Sequence, residues 1–453
     1  MPVTDLHPSY SLHAKEWKRT EAAAIGSPAL KLNNAEFLPQ DYAETEVARY
    51  VAFCLRAYYV NLTGRTEKVL QGMVFRKDAT FKLPSSMSRY LEDMDGNGES
   101  ITQLAKAGLI QRLRKDRFVY LADFPSQQSG LTEAEEKAAG VRPICSTYSA
   151  ENLINWRWGN AGGKRQLELV VLREEINDSD DEFGYDPKIQ YRVLRLREGK
   201  YTQQVYGEDN QPITEEFTPM MKNSIPFDHI PIHGVRELEV AAMQPVAEVN
   251  LAYYRNTASL EDMLDVVSTP ILHIDVGETT IQEWNDNNTG TVKVGVRSGI
   301  KTKGGKVEFV QAHERPLVRV AREDKFAELS AIGASIVSQG GQAETAEAAR
   351  IRAGSATSQL DNVVGDLSED LEGVLGDMAL FIGADGDIEY SLNTEFFDVG
   401  MSAEDLTAIV SGKILYGDKA ALHMIREGKI ELSSKSTDDE ILADAASLTD
   451  DLL

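Results

Sequence analysis

The hydrophobic period of this chain changes twice, and that change constrains its fold more than any other feature. From Pro143 to Val235 the period falls towards two. Leu167, Leu169 and Val171 alternate with other residues, and a second such run passes through Tyr191, Val193, Leu194 and Leu196. This is the pattern of strands with one covered face, and the turn signal at Asp209–Pro212 predicts hairpins and an antiparallel sheet. On both sides the pattern is helical. Residues 42–71 read as one long helix with Tyr50, Phe53, Cys54, Ala57 and Tyr58 near one face, followed by a short β-like segment. Ile101 to Leu113 reads as another helix, and Phe118 to Phe124 as a strand closed by Pro125. Residues 1–35 are mixed and read as an extended or partly helical arm, and residues 126–141 as a polar surface loop with a short helix.

Helical periodicity returns at Pro245, a residue suited to a first turn, and runs to Val267 before Pro270 ends it. A strand-like Ile271–Ile274 follows, and residues 277–311, rich in glycine, read as short β segments and turns. A second helix from Pro316 to Val337 puts Leu329, Ile332 and Ile336 on one face. Beyond Gly340-Gly341, a third long helix carries Leu360, Val363, Val364, Leu367, Leu371, Val374, Leu375 and Met378 at helical spacing. Its glycines at 365, 373 and 376 suit close helix packing in an assembly as well as a coiled coil. Amphipathic helices are expected at Ser402–Ser411, Asp418–Arg426 and Thr437–Ala446, the last running into an acidic tail. The fold class is α+β.

Composition excludes some functions. With 453 residues the chain has room for two or three domains, and 42% hydrophobic and 26% charged residues are ordinary for a globular protein. No apolar run is long enough to span a bilayer, and no signal peptide is expected. Cys54 and Cys145 sit among apolar neighbours and read as reduced, buried thiols. The net charge of -25 argues against coating nucleic acid, which requires cations at the phosphates. It is compatible with a surface past which DNA slides without adhering, and equally with solubility alone.

No catalytic constellation emerges, and neither enzyme activity nor a cofactor is expected. His229 and His233 flank Pro231 in a proline-broken strand end without the spacing of a zinc helix, and a packed turn is expected there. The chain lacks a phosphate-binding Gly-x-x-x-x-Gly-Lys-[Ser/Thr] loop and a Gly-x-Ser-x-Gly elbow. The acidic segment Asn177–Asp186 lacks calcium-loop spacing and reads as a solvated hairpin tip. Trp156 and Trp158 share parity in a strand, so packing in a core or interface is the expectation.

One block stands apart. Leu38-Pro39 opens it, Glu44 and Glu46 follow, and a periodic run passes through Tyr50, Phe53, Arg56, Tyr58, Tyr59 and Asn61 to Thr66, Leu70, Gly72, Phe75 and Arg76. This block resembles the N-terminal region of tailed-bacteriophage portal proteins, in the branch catalogued as DUF4055. Further elements resemble that branch in the same order: Asp116–Val119 through Leu121–Pro125, Arg142-Pro143 through Tyr148–Arg157, and Ile225–Asp228 through Ile230-Pro231. Val249-Asn250 through Tyr253-Tyr254 and Ser259, Thr269-Pro270, Thr345–Ala348 and Ser358–Leu360 complete the series. The likeness covers roughly residues 35–435.

The resemblance implies a portal fold and a ring, usually of twelve copies, through which double-stranded DNA passes. It implies an N-terminal arm at 1–34, a wing at 35–245, stem helices at 246–267 and 316–337, and a clip at 268–315 between them. A channel loop and long wing helix would fill 338–400, and C-terminal helices or a reduced crown 401–453. Implied partners are further copies of the chain, the terminase large subunit, head–tail adaptor proteins and the major capsid or scaffolding protein. Its place would be the virion portal vertex, assembled in the bacterial cytoplasm. Another capsid or baseplate adaptor is the alternative, and a metal-dependent nuclease a more distant one. If these helices form the stem, Glu248, Glu261, Asp262, Asp265, Glu323, Asp324 and Glu328 are channel candidates, and Gly340-Gly341 a bent channel loop. Arg255, Arg315, Arg319, Arg322 and Lys325 are candidates for pairing across subunits, with DNA contact and plain solvent exposure as the other readings.

Overall fold

The computed structural model describes residues 2–40, 46–124, 142–161, 163–222, 225–268, 271–275, 277, 280–287, 305–310, 316–335, 359–394 and 396. The Gly340-Gly341 junction and the helices expected beyond 400 lie outside them, as does Arg315. Ten α-helices are described: α1 Pro8–Ile25, α2 Ser27–Leu32, α3 Asn34–Phe37, α4 Val47–Arg56, α5 Leu62–Val74, α6 Ile101–Lys115, α7 Gln244–Ser268, α8 Ile281–Asn287, α9 Pro316–Ser335 and α10 Gln359–Ile382. The strands are β1 Thr80–Lys82, β2 Phe118–Asp123, β3 Ile144–Ser149, β4 Leu153–Ala161, β5 Lys164–Asn177, β6 Pro187–Arg197 and β7 Lys200–Gly207. They continue with β8 Met220–Met221, β9 Ile225–Pro226, β10 Ile232–His233, β11 Ile271–Ile274, β12 Val307–Val310 and β13 Glu389–Ser391. Helices and several small antiparallel sheets together make an α+β protein.

The chain forms two compact units, the first from Met1–Gly26, Asn61–Val249 and Glu328–Leu453. Its core is built around β2, whose residues Phe118–Ala122 are all buried between β10 and β3 in a three-stranded sheet. A strand covered on both faces has no polar side to show, which explains its near-continuous apolar run. Against this sheet lies α10, burying Leu360, Val364, Leu367, Leu371, Val374, Leu375 and Met378, with α6 beside it. The helix α6 starts at a reciprocal cap: Ser100 Oγ accepts from the Gln103 backbone N–H, and Gln103 Oε1 from that of Ser100. The period-two region forms the meander β4-β5-β6-β7, with Ile154, Val171, Tyr191 and Val193 clustered on one face. The Asn177–Asp186 segment caps its β5–β6 hairpin, as expected of a hairpin tip.

Two local expectations are corrected, and a third gains detail. The segment expected as an extended or partly helical arm contains α1, a helix of 18 residues that packs against α5 and α6 and buries Trp17 and Ala22–Ala24. His7 caps it, its Nδ1 accepting from the Ser9 N–H, and Pro8 occupies the first turn. The long helix expected over 42–71 is broken between Arg56 and Leu62. Asn61 makes the break, because its Oδ1 accepts from the Gly64 N–H at 2.8 Å while its Nδ2 donates to the Ala24 carbonyl at 2.8 Å. Gly64 is the close approach, since a β-carbon there would meet the Ala24 carbonyl oxygen at 2.5 Å. The renewed helix then continues through Val74, where a β-like segment was expected.

The second unit comprises Ser27–Val60 and Asn250–Ala327. Asn250 is fully buried here, accepting from the Tyr59 hydroxyl at 2.7 Å and donating to the Val60 carbonyl at 3.1 Å. Tyr59 and Tyr254 meet edge to face at 5.4 Å. In the region read as β segments and turns, β11 and β12 pair antiparallel from Ile271↔Val310 to Ile274↔Val307, but the helix α8 was not expected. Thr280 and Glu283 start α8 with a reciprocal cap, each side chain accepting from the other's backbone N–H at 3.3 Å.

Candidate functional site

The charged residues expected to line a stem sit on α7 and α9. At about 100° per residue, Glu248, Arg255, Glu261, Asp262 and Asp265 share one side of α7. By the same rule Arg319, Arg322 and Lys325 share one side of α9, and Glu323, Asp324 and Glu328 the other. Within the second unit Asp262 and Asp265 are not bare charges: Arg56 donates to Asp262 at 2.5 Å and lies 3.1 Å from Asp265, with Arg49 at 3.8 Å from Asp262. That countercharge was not foreseen, because α4 is distant in sequence. Arg255, Arg319, Lys325 and Glu328 each have partners too. Glu248 accepts from Gln244 at 3.3 Å, Glu323 and Asp324 are exposed, Glu261 is half-buried, and Arg322 approaches the Tyr253 phenol electrostatically. Much of α9 is open, with Leu317 80% and Val320 46% exposed.

Two polar clusters fasten the 228–236 segment to α10. Asp377, on α10, accepts from His229 Nε2 at 2.9 Å and from His233 Nε2 at 2.8 Å, one oxygen for each ring. The other ring nitrogen of His229 faces Asp228 at 2.8 Å. A ring with a carboxylate at each nitrogen needs both protons, so His229 is an imidazolium. Its hydrogen bond to Asp377 raises it to about 9, against burial and with help from both carboxylate charges. Burial pushes Asp377 up, but the bonds from the two histidines outweigh it and hold the carboxyl low. One turn earlier, Gly373 leaves room for the His233 ring, which a β-carbon would strike. Of the glycines read as suiting close helix packing in an assembly, Gly373 accommodates an imidazole of its own chain, and a β-carbon at Gly365 or Gly376 would meet no atom of the chain within 4 Å. In the second cluster Arg112 and Arg236 share Asp366 and Asp370, and Arg112 and Asp370 are buried. These are structural latches, and among the described residues no group of three His, Cys, Asp or Glu is placed to hold a metal.

The turn-rich segment before α6 conceals another pattern. Asp93, Asp95 and Asn97-Gly98 have the spacing that opens a calcium loop, and Gly96 and Gly98 both have positive φ. The position of the closing bidentate Glu is instead Leu104, which is buried. Asp93 accepts from the Gly96 and Gly98 N–H groups, and Asp95 from those of Asn97 and Glu99, while Arg142 supplies the cation at 2.5 Å from Asp93. The loop is thereby satisfied internally as a lead-in to α6.

Aromatic residues concentrate at the opposite end of the meander. Trp156 and Trp158 keep the shared parity expected of them and line one cavity, because the extra residue at the register shift between Arg157 and Trp158 is Glu168 on the partner strand β5. Trp156 is buried, stacked on His7 at 3.8 Å with the Arg117 guanidinium 4.0 Å over its ring. Trp158 is half-buried under Arg165 at 4.9 Å, and its buried Nε1 has no hydrogen-bond acceptor. An open cavity of about 270 Å³ lies between these rings, His7, Leu238 and the Arg165–Glu237 ion pair. Both cysteines are free and buried. No helix of the described residues is long and apolar enough to cross a membrane.

Comparison with known proteins gives one family match. Residues 243–382, from the start of α7 to the end of α10, match the family described as Domain of unknown function (DUF4055). No curated protein matches the chain. A chain of the virion of a native gene transfer agent (GTA) particle is 14% identical, with a TM-score of 0.35 over 87% of this chain and 92% of that one. A chain of the neck of an empty GTA particle is 13% identical, with a TM-score of 0.36 over 90% and 94% of the two chains. Neither score reaches that of a shared fold. The family match, within which α7, the β11–β12 pair and α9 all fall, is the firmest link of this chain to known proteins.

Proposed function

We propose that this chain is a structural subunit of a portal ring at one vertex of a tailed-phage-type capsid. In this reading about a dozen copies surround a channel for double-stranded DNA, through which the genome enters during packaging and leaves at ejection. The observation that carries it is the helix–β pair–helix layout of α7, β11–β12 and α9. Two long helices joined through a compact insertion can surround a lumen, with the insertion projecting at one end. In this reading it meets the terminase large subunit and later the head–tail adaptor, while the capsid or scaffolding protein holds the outer wall. The channel candidates Glu248, Glu261, Glu323, Asp324 and Glu328 would repel phosphate, and Asp262 and Asp265, already paired, would contribute less. The subunit hydrolyses nothing itself, and the driving force comes from a separate motor. Sedimentation of purified protein, alone and with scaffold or adaptor proteins, tests the proposal. It predicts a closed oligomer of one defined mass, and a strict monomer under every one of these conditions would overturn it.

A further inference from the structure

The tip of the β5–β6 hairpin is prepared for contact yet touches little. Phe183 is 89% and Tyr185 69% exposed. Asp178, Asp180, Asp181, Glu182 and Asp186 surround them. The loop is held in shape: Asn177 Oδ1 accepts from the Ser179 and Asp186 N–H groups, Asn177 Nδ2 donates to the Gly184 carbonyl, and Asp181 accepts from the Phe183 N–H. An aromatic side chain on a pre-ordered acidic loop loses little freedom when it docks and can anchor an interface.

The cavity beside Trp156 and Trp158 has complementary properties. At about 270 Å³ it is below the usual size for a cofactor and suits one aromatic side chain. Trp158, whose buried Nε1–H has no acceptor, forms part of its wall. Behind Trp156, Arg117 is 1% exposed, with two guanidinium nitrogens unpartnered and only its Nη2 donating, to the Arg236 carbonyl. Burial pushes Arg117 down to about 9, against the opposing charge of Asp116. Arg165 adds a cation at the rim, although Glu237 partly offsets it. From Arg165 to Asn177, the β5 strand spans roughly 40 Å at about 3.3 Å per residue, so the tip cannot reach this cavity in its own chain.

We propose that the Phe183 hairpin tip of one copy docks in the Trp156–Trp158 cavity of a second copy. Phe183 enters between the indoles, and Asp181 and Glu182 face the Arg165 rim. Because tip and cavity are different surfaces, the contact is head to tail and propagates into a ring or a filament. It pairs opposite charges in a chain whose copies otherwise repel, at a net charge of -25 each. The proposal specifies one contact within the ring described above and rests on self-association, but not on closure or on DNA.

Disulfide trapping tests it in the full-length chain. Phe183→Cys and Leu238→Cys proteins, prepared separately and mixed under mild oxidation, should form at least ten times more linked dimer than either alone. The native thiols are buried and should not interfere. Phe183→Ala, exposed and safe for folding, should weaken self-association at least ten-fold. Asp181→Lys with Glu182→Lys should restore part of what Arg165→Glu loses. Wild-type rings that form while trapping fails and Phe183→Ala assembles normally would overturn this contact and leave the ring standing. Efficient trapping in open filaments would support the contact and remove the ring. A chain that stays monomeric and untrapped overturns both.

Discussion

At the scale of single residues, the histidine latch gives the sharpest expectations. Gly373 and Gly376 occupy the same helix, and an alanine is intrinsically better in a helix by about 0.8–1.0 kcal/mol. At Gly376 nothing lies within 4 Å, so Gly376→Ala should stabilise by about that amount. At Gly373 the new methyl strikes the His233 ring, and Gly373→Ala should destabilise by about 1–3 kcal/mol instead. Urea unfolding of the two variants reads the opposite signs, and equal shifts would remove the packing role given to Gly373. The latch also titrates. His229 is raised from 6.5 to about 9, so its contribution is complete below pH 6.5 and is lost as pH rises through 9. The ring is 34% exposed, and solvent screening reduces the contribution to on the order of 1–2 kcal/mol. Asp377 acts with the opposite sign, its share disappearing as pH falls below 3.8. Unfolding curves of wild type and His229→Asn should therefore converge between pH 7 and pH 10. Curves that stay parallel over that interval would show that the ring is not charged in the folded state.

At the scale of elements, the fold is legible where one face alternates or repeats without interruption. The strand at Phe118, the meander through Tyr201, and the helices from Pro245, Pro316 and Leu360 all follow from periodicity, because burial of one face sets both the pattern and the element. The breaks were harder. Nothing in Tyr58–Val60 ends a helix by composition, and Asn61 acts as a cap only because the Ala24 carbonyl lies within reach of its amide. Thr280 and Glu283 have the spacing of a reciprocal helix cap, but the glycines that follow led the region to be read as β segments and turns, and the helix is only 7 residues long. The latch was invisible for a different reason. His229 and His233 are separated from Asp377 by 148 and 144 residues, and no local spacing announces a shared carboxylate. The Asn61 assignment carries its own expectation. Asn61→Ala removes both the cap and the bond to Ala24, and should cost about 1–2 kcal/mol. Amide exchange should quicken at Gly64 and the start of α5 while α6 keeps its protection, whereas an unchanged α5 would show that Gly64 packing alone sets the boundary.

At the scale of the whole molecule, charge and assembly decide the reading. A ring built from chains of net charge -25 has few cations to offer phosphate, and α9 places Glu323 and Asp324 in solvent. Purified oligomer should therefore bind linear duplex weakly, without base preference, and less as salt rises. A filter-binding or anisotropy titration that found tight, sequence-selective binding surviving high salt would contradict a conduit. ATP hydrolysis by the pure ring would contradict it as well. The most direct measurement is an electron-microscope image of purified particles viewed down their axis. The account predicts closed rings with one subunit number and a central opening wide enough for duplex DNA. Particles without an opening, or open chains that never close even with scaffold and adaptor proteins present, would contradict it.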